Sequence, residues 1–181
     1  MFKTKGILLC LVAVMALSGC ESRTDRSEGG VILSISDFDG LPVRVNVNTS
    51  SAVQLGSITI QNIPKNPNAD TTQLMNVEMT SYEVTYTRVD SGNRVPETLV
   101  EGIFGVTPVN GVNVYNNLVI MGAAQFLNPP LEDLLTVNGG IDTETGSPVI
   151  KLRFRIRFFG RTLTGESVAT APAEFDIEFV S

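Results

Sequence analysis

The chain has 181 residues, 43% of them apolar and 18% charged, and carries a formal net charge of −6. That length suits one domain with its own core, and 16 Gly and 9 Pro scattered through it exclude a fibrous or wholly disordered chain. With no histidine there is no Ser-His or Cys-His nucleophile pair and no imidazole metal site, and the acidic balance excludes a nucleic-acid binder.

Taken in chain order, the first signal is at the N-terminus. Lys3 and Lys5 precede an uninterrupted apolar run of eleven, Ile7 to Leu17. A membrane-spanning helix needs about 20 such residues; eleven is the length of the apolar region of an export signal. The run ends in Leu17-Ser18-Gly19-Cys20. This motif resembles the lipobox of bacterial lipoproteins, over Met1 to Cys20 only.

The resemblance implies that residues 1–19 are a cleaved signal peptide. It also implies that the Cys20 thiol carries a diacylglycerol and that its freed amine takes a further acyl chain, of palmitate type. Each buried CH₂ contributes about 0.8 kcal/mol, so two or three chains hold a protein nearly permanently. The location implied is the cell envelope. Glu21, rather than aspartate, follows the cysteine, which favours the outer membrane over the inner and leaves the periplasmic or surface face open. An ordinary cleaved signal and an uncleaved N-terminal anchor stay open as alternatives.

Cys10 would leave with the signal, so a mature chain starting at lipidated Cys20 has no free thiol and no disulfide. Its stability must come from core packing. Glu21 to Gly30 (ESRTDRSEGG) has no apolar residue, and residues 20–30 are expected to be a disordered tether. The span reaches at most about 35 Å extended, and about 17 Å as a flexible coil.

Residues 31–181 read as strands. Val43, Val45 and Val47 alternate with polar residues, as do Ile58 and Ile60, and Met75, Val77 and Met79. The apolar parity then changes to Tyr82, Val84 and Tyr86. A bulge near Thr80-Ser81 would accommodate that change. Val100, Phe104 and Val106 mark a further strand, and Val112, Val114, Leu118 and Ile120 another. Asp90-Ser91-Gly92-Asn93, Asn110-Gly111, Asn138-Gly139-Gly140 and Thr164-Gly165 are turn signals.

Asn128 to Leu135 (NPPLEDLL) predicts a short helix plugging one end, with Asn128 as cap, Pro129 in the first turn, and Leu131, Leu134 and Leu135 on one face. Near the C-terminus, Ile150 to Phe158 alternate with Lys151, Arg153, Arg155 and Arg157, while Ala171 to Phe179 alternate with Glu174, Asp176 and Glu178. Folded as a hairpin, the pair sets a cationic ladder against an acidic one. Arg153 then faces either Glu174 or Asp176, depending on register. That neutralises what would otherwise read as a basic patch, and charged side chains on an outer face argue against a membrane barrel.

These elements predict an all-β, two-layer antiparallel β-sandwich with one short helix. It looks like the immunoglobulin or fibronectin type III architecture in strand number and spacing, without the Cys-Trp-Cys signature. Candidate sites are few. Asp37 and Asp39 before Gly40, and Asp142 and Glu144 before Gly146, have the short carboxylate spacing of a calcium loop, and equally that of polar turns. Tyr82 and Tyr86 fit the core. Tyr115, among asparagines, is expected to be the exposed aromatic.

No catalytic, cofactor or metal residue is assigned. The expected function is a non-enzymatic, lipid-anchored envelope module, with the membrane (through the lipid on Cys20) and another envelope protein as partners. A small-ligand, carbohydrate or calcium-binding module is the alternative, and a carboxylate-based hydrolase a third reading.

Overall fold

A computed structural model describes residues 30–181. The expected signal peptide, Cys20 and the expected tether up to residue 29 lie outside the described residues. The domain is an all-β sandwich. Its strands are β1 (Val31–Asp39), β2 (Arg44–Asn46), β3 (Val53–Pro64), β4 (Val77–Arg88), β5 (Leu99–Thr107), β6 (Val112–Met121), β7 (Val149–Thr162), β8 (Ser167–Ala169) and β9 (Ala173–Val180). One sheet has the order β1-β3-β6. The other runs β2-β9-β7-β4-β5, with β8 also on β7. Neighbours are antiparallel except β2, which lies parallel to β9.

In β3, β4, β7 and β9 the faces that meet carry the predicted apolar parities; in β5 the opposite parity, Leu99 and Thr107, is buried, and Val43 before β2 is exposed. Leu55, Ile58 and Ile60 of β3 are fully buried, as are Val84 of β4 and Leu152, Phe154, Ile156 and Phe158 of β7. Tyr82 and Tyr86 tie the layers together. Their hydroxyls donate to the carbonyls of Val119 (2.7 Å) and Ile120 (2.8 Å) on β6, so the rings fill the core while each polar tip finds an acceptor. The parity change in β4 is a bulge, with register shifts between Met79 and Ser81 toward both neighbours.

The C-terminal pairing takes one of the two registers allowed by parity. Lys151 faces Glu178, Arg153 faces Asp176 and Arg155 faces Glu174. The hairpin has an interruption that alternation alone did not reveal. β8 pairs with Phe159 to Arg161 one residue out of step with β9, so Val168 and Thr170 point inward and Ala171 outward.

Two further expectations are corrected. Val112 and Val114 do not share the buried face of Leu118 and Ile120. Between the pairs Leu55–Leu118 and Ser57–Asn116 both β3 and β6 change face, with Asn117 in the left-handed region at φ 53°. Val112 and Val114 are therefore exposed. Tyr115 turns inward, half-buried, its ring 6.3 Å from that of Phe158. Because both strands turn over together, their pairing stays in step.

The second correction concerns the helix. Among the described residues the one α-helix, α1, is Ala123–Phe126; the Asn128 to Leu135 segment holds only a 3₁₀ turn, Leu131–Leu134. Pro129 and Pro130 lack N–H donors and disfavour helical backbone before them. Asn128 does not begin a helix but follows the end of α1, its side-chain amide donating to the Ala124 carbonyl at 2.7 Å. The 3₁₀ period of three still stacks Leu131 and Leu134 inward, so the segment plugs the core as expected.

Strand directions define two poles. Gly30, Pro64, Val77, Thr107, Val112 and Thr162 lie at one, where the described chain begins. Arg88, Leu99, Met121, Val149 and Val180 lie at the other.

Candidate functional site

The strongest concentration of charge is at the pole opposite Gly30. Arg88 ends β4 with its side chain only 2% exposed, and Asp142, in the loop before β7, is fully buried. The guanidinium donates to Asp142 Oδ2 at 2.9 Å and to Asp90 Oδ1 at 2.6 Å. Arg94 reaches the same loop, donating to Asp133 at 2.5 Å, to Asp142 Oδ1 at 3.2 Å and to Thr143 Oγ1 at 2.7 Å. Glu144 accepts from the backbone N–H groups of Asn93 and Arg94 at 2.8 and 3.0 Å.

Burial alone would push the Asp142 carboxyl upward. Hydrogen bonds from Thr145 and Arg88 outweigh it and hold the group down at about 2. Asp133 is likewise driven up by burial and drawn down further by Thr143 and Arg94. The loop backbone at Arg94 and Asn93 holds Glu144 below the usual carboxylate range. These carboxylates are ionised and turned onto arginines. The arrangement is a clasp joining the β4–β5 loop to the loop before β7.

The calcium-loop candidates separate in the structure. Asp142 and Glu144 are members of the clasp, their oxygens engaged by Arg88, Arg94 and loop N–H groups. Asp37 and Asp39 are exposed near the end of β1, where Asp39 Oδ1 accepts from the Gly40 N–H at 2.6 Å in a turn. Among the described residues no group of three or more Cys, Asp or Glu side chains is placed to hold a metal ion. Asp142 and Glu144 were visible as loop carboxylates. No sequence spacing links Arg88 and Arg94 to an acceptor about fifty residues away.

A second feature is a groove of about 310 Å³ between the start of β1 and β8, lined by Val31, Ile32, Lys65, Arg157, Phe159 and Val168 among others. Arg157 lies over the Phe159 ring at 5.3 Å and donates to the Thr170 carbonyl. Here the two sheets meet through a single parallel bridge, Leu33 to Thr170.

The third is the open edge of β5. It pairs with β4 alone, and its outward side chains Val100, Phe104 and Val106 stand in solvent, Phe104 at 83% exposure. Among the described residues Phe104, not Tyr115, is the exposed aromatic. Across the gap between the sheets stands the edge strand β6, close enough that a Cβ on Gly105 would meet Asn113 and Tyr115.

No protein-family model matches the chain, and no curated protein matches it. Among solved structures it is similar to a putative late embryogenesis abundant protein studied in solution, at 12% identity and a TM-score of 0.43. That match covers 99% of this chain and 87% of the other. It is also similar to the crystal structure of a Northeast Structural Genomics Consortium target, at 9% identity and a TM-score of 0.39, covering 83% of this chain and 87% of that one. Identities this low say nothing of what the chain binds.

Proposed function

We propose that the chain is a lipid-anchored protein of the bacterial cell envelope, held by acyl chains on Cys20. Its sandwich serves as a non-enzymatic interaction module for another envelope protein. The observation that carries the anchor is the order Lys3, Lys5, an eleven-residue apolar run and Leu17-Ser18-Gly19-Cys20. Glu21 favours the outer membrane.

Support for an interaction role comes from the β5 edge. An unpaired strand edge offers backbone donors and acceptors to an incoming strand, and exposed side chains beside it supply contact area. Proteins ordinarily blunt such edges. Here Val100, Phe104 and Val106 leave it apolar, with Glu101 its one charged side chain. The non-enzymatic reading is supported by the clasp, whose carboxylates are each committed to an arginine or a loop amide, not poised as an acid–base pair.

The anchor is tested by mass spectrometry of the mature N-terminus and by fractionation of Cys20→Ala. The variant should leave the membrane fraction; if it stays, the assignment is wrong. The interaction surface is tested with a photocrosslinking residue at Phe104 in cells, and a control at Thr85 in the middle of the sheet. One partner band from Phe104 and none from Thr85 is expected. Equal, unspecific labelling from both sites overturns the β5 reading.

A second reading, a small-ligand module, is favoured by the groove beside Arg157 and Phe159, which suits an acidic group attached to an apolar body. An acidic ligand should raise the melting temperature of the native chain, and less so in Arg157→Ala.

A further inference from the structure

We infer that the pole at which the chain leaves its tether lies directly against the bilayer, and that Leu74 and Leu163 enter the lipid interface there. The inference rests on the proposed acylation of Cys20. It adds to it an orientation of the domain and a second, protein-borne contact with the membrane.

The pole is built around two asparagines. Asn62 is buried. Its side-chain amide donates to the carbonyls of Met75 (3.0 Å) and Thr107 (3.1 Å), and its main chain pairs with Asn110 and Gly111. Asn76 accepts from the Val109 N–H through its side chain and from the Leu163 N–H through its carbonyl. These bonds fix the 3₁₀ turn Gln73–Met75, the β5–β6 turn and the turn after β7 beside one another. Gly30 joins them through its carbonyl, which accepts from the Lys65 N–H at 3.0 Å, and lies 3.7 Å (from an ideal Cβ) from the end of Met75.

With the loop backbones fixed in this way, their outward positions could carry polar side chains. They carry apolar ones instead. Leu74 is 55% exposed and Leu163 50%; Ile32, its strand partner Ile63, and Val112 are exposed at the same end. A single exposed leucine is unremarkable. Five such side chains ringing the point where an acylated tether enters the domain form a patch with a neighbour to cover it. Asp70 and Glu166 stand in exposed turns of the same pole, with Lys65 and Arg161 among the cations.

Length decides which pole faces the lipid. β4 runs the height of the sandwich in 12 residues, about 40 Å at roughly 3.3 Å per residue. The chain from Cys20 to Gly30 spans at most about 35 Å fully extended, and about 17 Å on average as a coil. The clasp pole, although Leu127, Val137 and Ile141 are exposed there, is thus held away from the membrane, while the Gly30 pole falls within reach of it. Leucine side chains entering the interface would complement acyl chains through the apolar area they remove from water.

The test uses the full, lipidated protein reconstituted in phosphatidylethanolamine–phosphatidylglycerol vesicles. The mature chain is expected to have no free thiol, so Leu74→Cys, Leu163→Cys and Val137→Cys each give one site for an environment-sensitive fluorophore. Labels at 74 and 163 should be quenched by lipid-borne nitroxide at least about twofold more than the label at 137, and by aqueous iodide less.

If the vesicles float with the protein but all three labels respond like position 137, the inference falls and the anchor stands. Labels at 74 and 163 shielded from both quenchers would mean that protein, not lipid, covers the pole, and would overturn it too. Failure of the wild type to float, with no acyl mass on Cys20, overturns the anchor and the inference together.

Discussion

Asp142 is a carboxylate without solvent, kept ionised by Thr145 and the Glu144 N–H of its own loop and by Arg88 from the end of β4. Removing one partner of a buried ion pair leaves the other charge stranded, at a cost of about 3–5 kcal/mol. Arg88→Ala and Asp142→Ala should each lower the unfolding free energy by that order in urea titrations, and the double variant should lose less than the two losses combined. Linkage gives the pH dependence. The folded value near 2 lies below the unfolded carboxylate value near 3.9, so this contribution is complete above about pH 4. It is lost as pH falls through the folded value. Thermal melts between pH 5 and 2 should show the steeper decline in the wild type than in Asp142→Asn.

At the same scale, Tyr86 holds the Ile120 carbonyl at 2.8 Å from within the core, and burial pushes its hydroxyl pKa upward. Tyr86→Phe should cost about 1 kcal/mol, because the carbonyl it leaves is buried. Gly160 faces the Glu78 carbonyl so closely that a Cβ would stand 2.7 Å from it. Gly160→Ala should therefore destabilise by about 1–3 kcal/mol through overpacking, measured by the same titration. Tyr86 was legible as a core residue from its parity. Its acceptor, and the crowding at Gly160, were not, since both arise between chain segments far apart in sequence.

Among the elements, the β7–β9 pair was the most legible. Two ladders of opposite charge narrowed the pairing to two registers, and the structure takes the one with Arg153 on Asp176, bonded through Nε at 2.8 Å. Exposed pairs of this kind contribute little to stability and much to register. Arg153→Asp should lower the melting temperature slightly, and combining it with Asp176→Arg should restore most of the loss. A double-mutant cycle with no coupling would show that the hydrophobic faces set the register alone.

The β4 bulge was equally legible, because a parity change within an unbroken strand has few structural solutions. β6 was misread for the opposite reason. Its apolar residues keep one parity on paper, and the face change at Asn116–Asn117 is set jointly with β3. The Asn128 to Leu135 segment shows a third outcome: its buried leucines were anticipated, but two consecutive prolines restrict it to a 3₁₀ turn.

For the whole molecule, one pole is closed by a charged clasp and exposes Leu127, Val137 and Ile141 beside it, while the other exposes apolar side chains around Gly30. Val31 to Ser181 folds around a core with no disulfide, so loss of the anchor should leave the domain intact. Cys20→Ala protein is expected to melt at the temperature of the wild type while fractionating as soluble. A large fall in melting temperature would mean that lipid contacts also stabilise the fold.

Periodicity, turn residues and charge ladders determined the all-β sandwich, because alternation of period two is a local property written along each strand. The N-terminal motif determined the expectation of a lipid anchor, since export signals are read as linear sequence. The tertiary structure alone decided which carboxylates meet which arginines, which face of β6 is buried, and which apolar side chains stay in solvent around Gly30. Those features depend on contacts between segments tens of residues apart, and neither composition nor spacing encodes such distances.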